Sequence, residues 1–448
     1  IGVGYMRNLI IEVSKYLMIL LMACYTYFNF RFFSYRELEE KKAVCGRQIQ
    51  AMFLIHLLAF LVIYLKTQRP EMIAFYLVQV AFFVGYIWGF RLLYRNVSRL
   101  LVNNTAMLLC VGFIMLTRLS LEKDRDWAVR QFIFVVAAAV LTWIIPYVID
   151  RVWQLAKVPW IYGLGGLILL IAVWIGGNTS YGAQLSLGLG NFSFQPSEFV
   201  KISFVFFVAA MFYQSVSFKN VCLTTAVAAA HVLVLVASRD LGSALIFFVT
   251  YIFMLFVATS NWLYLGAGIL SGSAASVLAY RLFSHVQIRV EAWLNPWADI
   301  DNRGYQITQS LFAIGTGGWF GLGLFQGMPG NIPVVEKDFI FAAISEEMGG
   351  IFAVCVVLIC LGCFIQFMMI AGKMQASFYK LIAFGLGMVY IVQVLLNIGG
   401  VVKFIPSTGV TLPFVSYGGS SIFSTFILFN VIQGLYILKR NEEEEHER

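Results

Sequence analysis

The sequence predicts an all-α, polytopic membrane protein, and two observations carry that prediction. Of 448 residues, 60% are hydrophobic and only 12% are charged, where a soluble chain carries about 25% charged residues. The apolar residues run in continuous stretches close to the ~20 residues that a helix needs to cross a bilayer. They do not alternate in polarity, which argues against a β-barrel.

Taken in order, the predicted spans are roughly 9–29, 51–66, 70–90, 103–118, 131–149, 159–176, 197–217, 220–237, 241–259, 261–280, 339–369, 378–398 and 421–438. The first is too long and apolar for the h-region of a signal peptide. The span near 51–66 is short. Lys and Arg cluster in segments 31–50, 91–99, 151–157, 219, 373–380 and 439–440. With thirteen spans, all of these fall on one side, the cytoplasm. The C-terminus is then inside and the N-terminus outside. The uncharged loop 177–196 and the long loop 281–338 also lie outside.

The net charge of +8 sits mostly in short loops. It reads as the positive-inside signal, and no nucleic-acid partner is expected. Six of the seven cysteines lie in apolar segments, so no disulfide framework is expected. Cys360 and Cys363 form a CxxC inside a span and read as packing residues. The four histidines are scattered, so no metal site is visible. The run Glu442–Glu445 reads as a solvated cytoplasmic end.

Ionisable residues at or inside apolar helices are the functional candidates, because burying them in lipid is costly. Asp338 ends the long loop, at the mouth of a hydrophobic helix that holds Glu346 and Glu347. Those two acids point about 100° apart on a helix, so at most one can share the surroundings of Asp338. A structural or proton-buffering role is expected for them. Glu198 and Lys201 sit at i, i+3 after Pro196 and can pair. Their bland reading is a helix-end ion pair, and their functional reading is a fixed charge pair lining a cavity. Asp240 stands at a helix start, where the helix dipole favours an acid, and Arg239 beside it is placed to grip a phosphate. The loop 281–338 holds Trp293, Pro296, Trp297 and Asp299, then many glycines. A loop of that length without evident regular structure is usually functional. A Gly/Ser-rich turn, Ser416 to Ser421, precedes the last helix and reads as a candidate anion site. It lacks the lysine of a nucleotide P-loop.

Five phrases carry a resemblance: FSFQPSEFVK (192–201), RDLGSAL (239–245), NPWAD with GYQITQSLFAIGTGGWFGLGL (295–299 and 304–324), DFIFAAISEE (338–347) and TLPFVSYGGSS (411–421). In this order they resemble the SEDS family, the RodA/FtsW/SpoVE-like proteins of bacterial elongation, division and sporulation. The resemblance covers about residues 100–438 and implies a ten-helix glycosyltransferase core at 101–438. Residues 1–100 are then accessory transmembrane segments, and 439–448 a charged tail.

The resemblance implies a multi-pass protein of the bacterial cytoplasmic membrane whose active site faces outward among membrane lipids. It implies an inverting glycosyl transfer that polymerises lipid II into peptidoglycan strands, with a class B penicillin-binding protein as partner. Asp338 matches the family's essential loop aspartate and would be the general base. Glu198 and Lys201 match its charged pair. Lys201 and Arg239 would offset the pyrophosphate charge, and Asp240 would line the same cavity. The turn bearing Ser416, Gly418, Gly419 and Ser420 would offer backbone donors. Family members often need a divalent cation, Mg or Mn, for which the sequence shows no carboxylate cluster.

Lys337 departs from the family, which usually has Thr before its aspartate. A cation there would lower the pKa of Asp338 and weaken it as a base, or help bind the pyrophosphate. Two other classes of function stay open. One is a transporter that flips a lipid-linked precursor, but transporters bury charges near the midplane, and here they crowd the outer face. The other is a non-catalytic scaffold of the division or elongation machinery.

Overall fold

The structure, a computed structural model, describes residues 2–151, 156–180, 183–189 and 192–446. It opens with three helices, α1 (Gly2–Ser34), α2 (Leu38–Thr67) and α3 (Glu71–Leu93). Next come α4 (Arg99–Lys123), α5 (Trp127–Thr142), α6 (Ile145–Arg151) and α7 (Pro159–Gly176). A small meander follows, β1 (Asn178–Ser180), β2 (Ala183–Leu189) and β3 (Phe192–Phe194), with both pairings antiparallel. Then come α8 (Pro196–Gln214), α9 (Phe218–Ala237), α10 (Leu241–Thr259) and α11 (Trp262–Leu282). The long loop carries α12 (Ser284–Leu294) and α13 (Tyr305–Gly317). The chain closes with α14 (Ile340–Met348), α15 (Gly350–Lys373), α16 (Ser377–Val401) and α17 (Gly419–His446).

Thirteen helical stretches among the described residues are long and apolar enough to cross a membrane, with α5 and α6 counted as one. The protein is a predominantly α-helical, multi-pass membrane protein, as its composition predicts, and the meander β1–β3 is an addition that the all-α expectation did not include. Two local expectations need correction. The loop 281–338 is not without regular structure, because α12 and α13 lie in it. The predicted span 339–369 is two helices that break at Gly349. Gly349 has φ +91°, a conformation that disfavours side chains. Its backbone lies against the preceding loop: Gly350 N–H donates to Gly318 O at 2.8 Å, and Leu322 N–H to Glu346 O at 2.9 Å.

Helix α4 is the axis of the bundle and is buried along its membrane length. Lipid tails are as apolar as leucine, so burial from water does not drive helix association in a bilayer; packing and polar contacts do. The sequence supplies such contacts. Asn104 Nδ2 donates to Asn29 Oδ1 at 2.8 Å, and Tyr25 donates to Asn104 Oδ1 at 3.0 Å. Asn103 Nδ2 donates to Cys45 O at 2.9 Å and Gln48 Oε1 at 3.1 Å. Interhelical hydrogen bonds of this kind average ~0.6 kcal/mol. They fasten α1 and α2 to the core. Cys360 and Cys363 are buried free thiols, in keeping with packing roles.

Candidate active site

The site lies where α8, α10, α16 and the loops before α14 and α17 meet. Pro196 stands in the first turn of α8, where its missing N–H costs nothing. One turn on, Lys201 Nζ donates to Glu198 Oε2 at 2.6 Å and to Gln393 Oε1 at 2.7 Å. Ser424 of α17 donates to the same Glu198 oxygen at 2.7 Å. Lys201 is 4% exposed. The pair is therefore a buried, hydrogen-bonded knot joining three helices.

Asp240 caps α10, with Oδ1 accepting from Ser243 N–H at 3.1 Å. Its Oδ2 accepts from Ser197 Oγ at 3.1 Å, which ties α10 to α8. Burial raises its pKa, and these hydrogen bonds partly offset the rise. Arg239 precedes it in the left-handed region, φ 64°; burial lowers the pKa of the nearby His285 imidazole, and the charge of Arg239 lowers it further.

Asp338 is half-buried. Among the described residues its carboxylate makes no hydrogen bond and no ion pair. Its main chain is held instead. Asn397 Nδ2 of α16 donates to Asp338 O at 2.9 Å and to Val410 O at 2.7 Å. Ser416 Oγ donates to Lys337 O at 2.5 Å, and Tyr417 N–H to Glu336 O at 2.8 Å. Opposite the carboxylate is Gly409, φ +77°, where a Cβ would stand 3.7 Å from Oδ2.

Burial pushes the Asp338 carboxyl up to about 6, against the lowering effects of Lys337 and Arg289. The expected lowering by Lys337 is present but is not the larger effect; desolvation outweighs it. The carboxylate keeps a basicity suited to taking a proton near neutral pH.

The turn before α17 also departs from expectation. The Ser416 hydroxyl is committed to Lys337 O, and Gly418 N–H donates to Gln131 Oε1 at 3.1 Å. Neither is free to donate to a ligand. Gly419 opens α17 against the Phe134 ring, and Ser420 Oγ accepts from Gln195 N–H at 3.0 Å. The turn is a joint that positions Asp338, braced by Gln131 of α5.

Glu346 and Glu347 face away from Asp338 and anchor the glycine-rich loop. Glu347 Oε1 accepts from Arg118 Nε at 2.9 Å and from Phe325 N–H at 3.1 Å. Glu346 Oε1 accepts from Met328 N–H at 3.0 Å. Arg118 also donates to Glu122 at 2.8 Å and Gly327 O at 3.2 Å. Burial pushes Glu347 up to about 8 in spite of Arg118.

Sequence reasoning missed Arg289, Gln393, Asn397, Gln131, Arg118 and Ser424. Gln393 and Asn397 were detectable as polar residues at i, i+4 in an apolar span. Arg289 carried no such signal, because nothing in a polar loop marks which cation turns inward.

Among the described residues, no three of His, Cys, Asp or Glu gather where they could hold a metal ion. Both Asp240 oxygens already accept hydrogen bonds, and Glu198 Oε2 accepts two. Among the described residues these carboxylates are committed to hydrogen bonds within the protein.

The family model for FtsW/RodA/SpoVE cell cycle proteins matches residues 99–441. The chain belongs to the FtsW/RodA/SpoVE family. It is 33% identical over 363 residues to the Mycobacterium tuberculosis peptidoglycan glycosyltransferase RodA, covering 74% of this chain and 76% of that one. It is 33% identical over 345 residues to stage V sporulation protein E of Bacillus subtilis, covering 72% and 92%. Its fold matches a chain of a peptidoglycan synthase complex that coordinates polymerization and crosslinking. That match has TM-score 0.64 and 22% identity, over 77% of this chain and 98% of the other. Thermus thermophilus RodA matches with TM-score 0.56 and 21% identity, over 76% and 96%. The family match begins at the first residue of α4, so α1–α3 lie outside it.

Proposed function

We propose that this chain is a peptidoglycan glycosyltransferase that polymerises lipid II at the outer face of the cytoplasmic membrane. Membership of the FtsW/RodA/SpoVE family supports the activity, as does 33% identity to named glycosyltransferases over most of the chain. The observation that carries the mechanism is Asp338, an uncommitted carboxylate on a braced backbone with its pKa raised to about 6.

Asp338 takes the proton of the acceptor sugar hydroxyl. The oxygen attacks the anomeric carbon of the donor, the bond to pyrophosphate breaks, and undecaprenyl pyrophosphate leaves with inversion. A positioned base contributes typically ~10²–10⁴-fold to such a step. The Glu198–Lys201 knot fixes one wall of the cavity. Lys201 contributes rigidity more than free charge, because Glu198 already offsets it. No step is assigned to a divalent cation. The partner is a class B penicillin-binding protein; the fold match to a synthase complex supports that class. Helices α1–α3 are accessory to the reaction.

The test is glycan formation from fluorescent lipid II by the purified chain, alone and with a crosslinking-inactive class B penicillin-binding protein. Ladders establish the polymerase. No ladders, together with transbilayer movement of lipid II in liposomes, would replace it with the transport reading.

A further inference from the structure

The knot around Lys201 commits that cation to Glu198 and Gln393, and Arg289 stands within electrostatic reach of Asp338. It lies on α12, beside the site, and is half-buried. Among the described residues its one hydrogen bond runs from Nη1 to Ser407 O, at 3.3 Å. Two residues further on, Gly409 faces the Asp338 carboxylate. The guanidinium and the carboxylate therefore meet over the same turn.

A guanidinium carries five N–H donors in a planar fork. At Arg289 one is used, on a neutral carbonyl, and among the described residues no carboxylate comes within 4.0 Å to pair with it. Asp338 and Asp240 act on its charge from beyond that range. A half-buried cation without a counterion is costly, and an incoming anion removes the cost. Arg239 and Lys337 carry the same sign around the same opening. A fork of free donors suits the paired oxygens of a phosphate group.

We propose that Arg289 binds the pyrophosphate of the isoprenoid-linked donor and is a further catalytic residue of the transfer. This rests on the glycosyltransferase reading. As the acceptor O–H proton passes to Asp338, the acceptor oxygen forms the new bond to the anomeric carbon. The old C–O bond breaks, and its electron pair stays on the pyrophosphate oxygen. Arg289 remains protonated and donates to that group as its charge grows.

Binding of geranylgeranyl pyrophosphate and of geranylgeraniol to the purified full chain tests this. Wild type is expected to prefer the pyrophosphate. Arg289→Gln is expected to lose about 10–100-fold of pyrophosphate affinity, the worth of a charge-assisted hydrogen bond or two. Its affinity for the alcohol stays unchanged, Arg289→Lys recovers part of the loss, and Asp338→Asn keeps the preference. No preference in wild type overturns the proposal. So does Arg289→Gln binding the pyrophosphate as wild type does, or losing both ligands equally as a merely structural residue would. If wild type makes no glycan yet shows the Arg289-dependent preference, the polymerase reading falls and the pyrophosphate site stands.

Discussion

Replacing Arg118 with Met tests how the glycine-rich loop is held. Arg118 is 5% exposed and Glu347 fully buried, with Nε and Oε1 2.9 Å apart. Removing one partner of a buried ion pair costs ~3–5 kcal/mol when the other stays charged. Glu347 has an escape, because its pKa already stands at about 8. Below that pH it can hold a proton, and the loss shrinks to an unsatisfied hydrogen bond, ~1–3 kcal/mol. The sign follows. The folded pKa lies above the unfolded one, so the folded state favours the proton and stability falls as pH rises through about 8. Without Arg118 that pKa climbs further, so the penalty should be larger at pH 9 than at pH 6. Unfolding in detergent, followed by fluorescence at both pH values, measures it. Arg118→Met with Glu347→Gln should recover much of the loss and its pH dependence. A penalty independent of pH, or a double variant no better than the single one, would refute this account of the loop.

Three further outcomes are expected. Polymerisation by wild type should rise with pH through about 6 and then level off, as Asp338 loses its proton; initial rates against pH measure this. Lys337→Thr removes a lowering influence, so the same midpoint should move to higher pH in the same assay. Lys201→Ala strands Glu198 among Ser424 and apolar neighbours, and Glu198→Ala strands Lys201. Each should cut glycan yield by about tenfold or more, the scale of a disturbed cavity wall; normal ladders from both would make the pair dispensable.

Much of this fold is written in hydropathy. Each span is a long apolar run; the meander β1–β3, the helices α12 and α13 and the break at Gly349 lay beyond it. The break at Gly349 was hidden because Ile340–Met348, although it carries Glu346 and Glu347, runs into the apolar helix after it with no polar loop between them, and the break depends on a backbone contact with a distant loop. The chemistry was partly legible. Asp338, Glu198, Lys201 and Asp240 show themselves as charges at the edges of apolar helices. Their assignments changed in kind once partners were visible, since Lys201 is tied to Glu198 and Gln393 and Asp240 to two serines. Ser416 and Gly418 look like ligand donors in the sequence because a Gly/Ser turn carries no mark of which bonds it makes internally. The pKa of Asp338 shows the same limit. Lys337 is visible in the sequence, and the burial that outweighs it is not.

The central claim is that Asp338 is the base of a polymerase. Glycan ladders from fluorescent lipid II, run with wild type and with Asp338→Asn purified to the same folded state, test it most directly. The account predicts ladders from wild type and none from the variant, with thermal stability unchanged. Equal ladders from both would contradict it.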